Sequence, residues 1–343
     1  MSSWRRTIAW IKAGLVTSIA AVAMAFGSTP SSAIDAAQWK EVVAAANKEG
    51  KAVLYVSVAP AQVEAVITAF SAAYPAIKLE VFQSRDSVIN QRLKQEIGMG
   101  RVGADVIFST KNNFYDELKR ENGLILPKVP SFEAANLKTY QDAVIISQLP
   151  LLIAYNATLV KDEPRNYEDF LGPEFKGRLG IPVVDGSPVT TAWWDFLRKT
   201  HPGYWEKLAA LQPRIYASSV PLSQAVASGE ISVAILASPG SISALINKGA
   251  PLKMVSPDQV YGMDLLLGVL RNSPNPNAAL VLADFLLSKA GQTAINAGGL
   301  GISILPDVPG ALPAMSMVIS DPNVDTTDRL KTVVDDWKKI FAP

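Results

Sequence analysis

Ala52-Val-Leu-Tyr-Val-Ser57, and after it Leu79-Glu-Val-Phe82 and Ala104-Asp-Val-Ile-Phe-Ser109, are short apolar runs rich in β-forming residues. Continuous runs of this kind suit strands covered on both faces, as in a parallel sheet. Between the first two, Val63, Val66, Ile67, Phe70 and Tyr74 recur at helical spacing, with Pro60 suited to a first turn. Between the second and third, Ile89, Leu93 and Ile97 repeat that spacing, and Gly98-Met-Gly100 ends it. The stretch 52–109 therefore reads β-α-β-α-β, an open α/β sheet.

Downstream, the pattern continues. Segments 151–155, 179–184, 231–236 and 263–270 read as strands, and 190–199, 205–211, 221–228, 276–288 and 291–297 as helices. In the tail, Leu330, Val333, Val334, Trp337 and Ile340 form one stripe over 327–341, a face for docking on the body.

Upstream, Met1-Ser-Ser-Trp-Arg5-Arg6 is basic, 13–26 is apolar, and Ser31-Ser32-Ala33 supplies small residues. That is the order of a secretory signal peptide, and the apolar run is shorter than the roughly 20 residues that span a bilayer. Cleavage near Ala33 is expected, by the ordinary secretory route, because Trp4 and Ala9-Trp10 fit the twin-arginine pattern poorly. The 343 residues include no cysteine, which excludes disulfides, thiolate metal sites, thiol nucleophiles and a lipid-bearing cleavage-site cysteine. Without Arg5, Arg6 and Lys12, 29 basic residues face 31 acidic ones, and nothing in that balance points to nucleic acid or an anionic membrane. Roughly 310 residues remain, more than one core organises, so two lobes are expected.

In open α/β sheets, ligands sit beyond the carboxyl ends of strands. At those ends stand Ser57, Ser84-Arg85-Asp86-Ser87 and Ser109-Thr110-Lys111, then Asp185-Gly-Ser187-Pro188-Val-Thr190 and Ala237-Ser238-Pro239-Gly240. The candidate ligand-binding residues are accordingly Ser57, Arg85, Ser109, Thr110, Ser187, Thr190 and Ser238. Hydroxyls and open amides at helix N-termini favour anions. A guanidinium such as that of Arg85 grips a carboxylate or phosphonate with two hydrogen bonds. The plainer roles are helix capping by Ser187, Ser219 and Ser238, and an Arg85–Asp86 ion pair. Trp193-Trp194 fits the core better than a stacking platform.

Catalytic patterns are nearly absent. His201, the only histidine, lies in Lys199-Thr-His-Pro-Gly, which reads as a helix-ending loop, and no Gly-x-Ser-x-Gly elbow accompanies it. HExxH, GxxxxGK and calcium-loop spacings do not occur. The expectation is a protein that is not an enzyme and that carries no cofactor or metal.

Several segments, taken in order, resemble family 1 of the bacterial extracellular solute-binding proteins. They are Asn275-Pro-Asn-Ala-Ala279 leading to Asp284-Phe-Leu-Leu-Ser288-Lys-Ala-Gly-Gln292, then Gly298-Gly-Leu-Gly301, the Ala104 run, Pro150-Leu-Leu-Ile-Ala-Tyr155-Asn156 and Ala225-Val-Ala-Ser-Gly229-Glu230. Within that family the chain is most similar to the ferric-ion-binding branch and its organic-solute relatives. The resemblance implies a two-lobed type II periplasmic binding protein fold, two open α/β sheets joined by crossing hinge strands, with ligand in the cleft between lobes. It places a signal peptide at 1–33, lobe one at 34–147 and 264–343, and lobe two at 148–263. It also implies a monomeric periplasmic receptor that hands a small-molecule ligand to the permease of an ATP-binding-cassette (ABC) transporter. Ferric binders of this family carry adjacent tyrosines just after the strand matching 231–236, whereas this chain has Ala237-Ser238-Pro239-Gly240-Ser241. The ligand expected is a small organic anion, carboxylate or phosphonate. A ferric-ion receptor is the alternative, and a periplasmic enzyme using the same cleft stands behind it.

Overall fold

In the computed structural model, residues 34–135, 137–321 and 327–341 are described; the expected signal at 1–33 lies outside them. Helix α1 (Ala36–Glu49) is set by its ends: the Asp35 carboxylate accepts from the amides of Ala37 and Gln38, and Gly50 closes it at φ 70°. The apolar runs then form β1 (Lys51–Val56), β2 (Lys78–Gln83) and β3 (Val106–Thr110), with α2 (Pro60–Ala73) and α3 (Asp86–Gly98) between them. As expected, β1 pairs in parallel with β2 on one side and β3 on the other. Short elements follow, α4 (Phe114–Arg120), β4 (Leu124–Ile125), α5 (Pro130–Ala135) and β5 (Thr139–Tyr140), before the long strand β6 (Ala143–Asn156).

The second α/β stretch comprises β7 (Leu179–Pro182), α6 (Pro188–Thr200), α7 (Tyr204–Ala210), β8 (Arg214–Tyr216), α8 (Ser219–Ser228), β9 (Val233–Ala237), α9 (Pro239–Ile246) and β10 (Leu252–Val255). Strand β7 is shorter than expected because Val184–Gly186 turns into a 3-10 helix. The chain returns through β11 (Val260–Leu270), then α10 (Pro276–Leu287), α11 (Lys289–Asn296), β12 (Ile302–Ser303), β13 (Met317–Ile319) and α12 (Thr327–Phe341).

The strand order is β2-β1-β3-β11-β6-β9-β7-β8. Strands β6 and β11 are antiparallel neighbours and belong to both halves. The first part of β6 pairs with β5 and β12, and its last part with β9 and β10. On the first side, Phe70, Phe108, Leu267, Leu282 and Ile295 are buried together, and Ile107, Tyr115, Leu118 and Leu266 fill the other face of the sheet. On the second side, Ile181, Trp193, Trp194, Trp205 and Ile235 form one core, and Leu222, Val226 and Ile242 another. This is the two-lobed α/β fold, its sheets fused through β6 and β11.

One grouping is corrected. Helix α12, placed with lobe one through the span 264–343, packs instead on α6 and α7, with Leu330, Val333 and Trp337 buried in the tryptophan-rich second core. The reason is complementarity: the Trp337 ring lies 5.8 Å from that of Trp194, and Phe341 stacks on Trp337 at 5.0 Å. The buried Asp195 carboxylate adds an anchor, accepting hydrogen bonds from Arg198 and Lys199 of its own helix and from Arg329 of α12.

Candidate ligand cleft

Three strand ends of the first sheet lie side by side. The Ser57 amide donates to the Phe108 carbonyl and the Ser84 amide to the Val56 carbonyl, both at 3.1 Å. The ends of β1 and β3 and the turn into α3 thus form one rim, bearing Ser57, Arg85, Asp86 and Thr110. Ser109 is not part of it. Strand alternation turns Ser109 inward, where it is buried and its hydroxyl lies 2.8 Å from that of Tyr115, so it serves the core and not the ligand.

Arg85 is exposed and, among the described residues, has no hydrogen-bond or ion-pair partner; the pair with Asp86 does not form. Asp86 faces inward. Its Oδ2 accepts from the Thr110 hydroxyl, while Oδ1 is buried with no partner. Burial pushes this carboxyl above the usual range; the Ser57 and Thr110 hydroxyls pull it back only in part. Ser57 Oγ lies near the carboxylate without a well-aligned hydrogen bond, and it too is buried and unpaired. Asp86 was read from sequence only as a partner for Arg85. Its place as the first residue of α3, straight after a strand end, was the available signal.

On the second rim, Ser187 caps α6, its Oγ accepting from the Thr190 amide at 3.1 Å and lying 2.9 Å from the Thr190 hydroxyl. Ser238 begins α9 without capping it and donates to Ser241 Oγ at 3.0 Å. The rims touch. Ala59 Cβ lies 3.7 Å, and Leu300 Cδ2 3.8 Å, from where a side-chain carbon of residue 240 would stand. Nearby, the Ser243 hydroxyl donates to the Gly299 carbonyl at 3.5 Å. The first turns of α2 and α9 therefore adjoin, each lacking a side-chain hydrogen bond from its N-cap residue. Two positive helix ends brought together favour an anion between them. Where β6 and β11 cross, Gln148 Nε2 donates to Asp264 Oδ1 at 2.8 Å and the Lys111 amide to the Asp264 carbonyl at 2.9 Å.

Other sequence candidates fall elsewhere. His201 Nδ1 lies 2.6 Å from Glu168 Oε1 and its ring sits edge-on to Tyr167, a packing role between α6 and α7. Trp193 and Trp194 are wholly buried. A cavity of about 630 Å³ opens at the opposite, amino-terminal end of β7 and β9, where Lys161, Asp162, Asp169, Glu174 and Arg178 line it; none of the candidate residues do.

A sequence profile of bacterial extracellular solute-binding proteins matches residues 53–301. The chain belongs to that family. No curated protein matches this solute-binding protein in sequence. Among solved structures, it is similar to the substrate-binding protein of an ABC transporter from Agrobacterium tumefaciens at 17% identity and TM-score 0.68, over 85% of this chain and 94% of that one. Iron-bound HitA from Pseudomonas aeruginosa matches at 19% identity and TM-score 0.63, over 84% and 99%. AfuA from Actinobacillus pleuropneumoniae, with exogenous fructose-6-phosphate bound, matches at 18% and 0.59, over 85% and 99%. At these identities the likeness is one of fold.

Proposed function

We propose that this solute-binding protein is the periplasmic receptor of an ABC importer for a small organic anion. The observation that carries the reading is the meeting of the α2 and α9 N-termini at Ala59 and Gly240. Ser57 and Thr110 on one rim and Ser238 on the other supply hydroxyls, Ser187 and Thr190 lie at the next helix start, and Arg85 offers an unpaired guanidinium. Lobe one takes 34–147 and 264–321, lobe two 148–263 and 327–341, and closure is a hinge motion at β6 and β11. Two similar structures, one an ABC-transporter substrate-binding protein and one with exogenous fructose-6-phosphate bound, agree with the reading.

Protein recovered from the periplasm should begin near Ile34, and native mass spectrometry should find a small anion that is released chemically unchanged. Turnover of that compound would favour an enzyme instead. The iron-bound relative makes Fe³⁺ the second reading. Fe³⁺ prefers hard anionic oxygens, and Ala237-Ser238-Pro239-Gly240-Ser241 supplies none. Added Fe³⁺ should give no visible phenolate band, and a red-orange complex at one iron per chain would overturn the organic-anion reading.

Arg85→Ala should weaken binding of that anion by about 2–5 kcal/mol, the cost of truncating one partner of a desolvated charge pair. Unfolding stability should stay within about 1 kcal/mol, since the guanidinium is exposed and unpaired without ligand. Arg85→Lys should recover only part of the affinity, because an ammonium lacks the two-pronged geometry. Calorimetry giving equal affinities in all three proteins would remove Arg85 from the site.

A further inference from the structure

We propose that the ligand is dipolar: beside its anionic group it carries a protonated amine, which Asp86 holds. The inference rests on the organic-anion reading and names the ligand class more closely. Asp86 Oδ1 and Ser57 Oγ are both buried and near each other at the same strand ends, and neither makes a well-aligned hydrogen bond. Thr110 occupies only the other carboxylate oxygen. No cation faces Asp86 among the described residues; the Ser57 and Thr110 hydroxyls do, with the Tyr115 phenol from α4 as the only titratable group near it. Arg85, one residue away, is exposed and does not neutralise it.

A carboxylate taken out of water with half its acceptor capacity unused costs stability unless something donates to it. An ammonium offers three donors, enough for Asp86 Oδ1 and Ser57 Oγ together, with the anionic end of the ligand turned toward Arg85 and the helix ends. A purely anionic ligand would leave Oδ1 unpaired and add a like charge beside it.

The test uses the full mature protein and matched probes: β-alanine against propionate, 4-aminobutyrate against butyrate, and 1,3-diaminopropane and putrescine as amines without the acid. The amino acids should raise the melting temperature more than their amine-free partners, and more than the diamines. In Asp86→Asn, affinity for the better amino acid should fall on the order of 30-fold or more, while affinity for its amine-free partner should rise, because the like charge beside it is gone.

A second readout needs no ligand. The folded-state pKa of Asp86 is raised, so its ionised form lowers stability once pH exceeds the unfolded value and stops doing so below it. Ligand-free Asp86→Asn should therefore melt above wild type at pH 7, the gap closing toward about pH 4. Equal shifts from acids with and without the amine overturn the dipolar ligand and leave the anion reading standing. Shifts from diamines alone overturn the anion reading and the dipolar ligand with it, and silence from every probe overturns both. A lower melting temperature for Asp86→Asn at pH 7 makes Asp86 a structural acid and also overturns the proposal.

Discussion

Replacing Asp105 with alanine is expected to destabilise the fold by about 3–6 kcal/mol, one of the two largest losses from any single change proposed for this protein. Asp105 stands just before β3 and is wholly buried. Its carboxylate accepts from the Val53 amide at 2.6 Å, the Ser273 hydroxyl at 2.6 Å, the Asn275 amide at 3.0 Å and the Asn275 side-chain amide at 3.1 Å. It therefore ties the start of β1 and the start of β3 to the turn that launches α10. Alanine would leave these donors without an acceptor in a place water reaches poorly, at about 1–3 kcal/mol each, less what relaxation recovers. Asn keeps one acceptor oxygen and should lose about half as much. Urea unfolding with an unchanged slope measures it. A loss below about 1 kcal/mol for the alanine variant would refute this account.

Trp194→Ala should cost about 4–5 kcal/mol, the upper end for deleting a large buried aromatic side chain. The indole is the hub of the second core. Trp193, Trp205, Trp337 and Phe341 surround it at ring distances of 4.8, 5.6, 5.8 and 5.3 Å, and its N–H donates to the Pro182 carbonyl at 3.3 Å. Two of those rings belong to α12, so the variant should also loosen that helix, seen as faster amide exchange over 327–341. Trp194→Phe keeps much of the ring packing and should lose roughly 1–2 kcal/mol. Acid should bring out the same weak point. Burial opposes ionisation of Asp195, but hydrogen bonds from Lys199, Arg329 and Arg198 hold its carboxyl below the usual range. The anchor is thus complete above about pH 4 and is lost as pH falls below it. Protection of 327–341 that survives Trp194→Ala intact would show that α12 does not depend on this hub.

The order of sheets and helices was legible because strands covered on both faces leave unbroken apolar runs, as in 52–57 and 104–109, and because Pro60 and Gly98 mark helix limits. Helix α1 carries its own cap signals in Asp35 and Gly50 but only a weak apolar stripe, and it passed unread. The seat of α12 was not legible: a stripe with Trp337 announces a docking face, but its partner is fixed only by the tryptophans that folding gathers around Trp194. At the strand ends, Ser57 and Thr110 adjoin Asp86, a neighbourhood that the ends of β1 and β3 make legible from sequence. Alternation along β3 sets Ser109 on the same face as Ile107, buried beside Tyr115, and the strand-end rule takes no account of that alternation. Asp86 is masked by its neighbour, since Arg-Asp suggests a pair, whereas folding sets the two side chains in different environments.

The resemblance also has a physical location. Among the residues in its segments, Asp105, Asn275 and Gln292 knit the backbone together. Gln292, fully buried, donates to the carbonyls of Ile146 and Leu286 and accepts from the Ser303 hydroxyl and the Ile304 amide. Gly291 beside it allows no side chain, because one would collide with the Phe285 carbonyl. Such motifs therefore report the scaffold and say little about the ligand.

That separation is spatial as well. Asp105 works at the amino ends of β1 and β3, whereas Ser57 and Thr110 sit at their carboxyl ends, about 16 Å away along five residues of strand. The rim residues bear few of the bonds that hold the backbone, so their exchange perturbs folding little. On the proposed reading of the rims as the ligand site, cargo preference is modular: a new specificity can be written there, by selection or by design, on an unaltered frame.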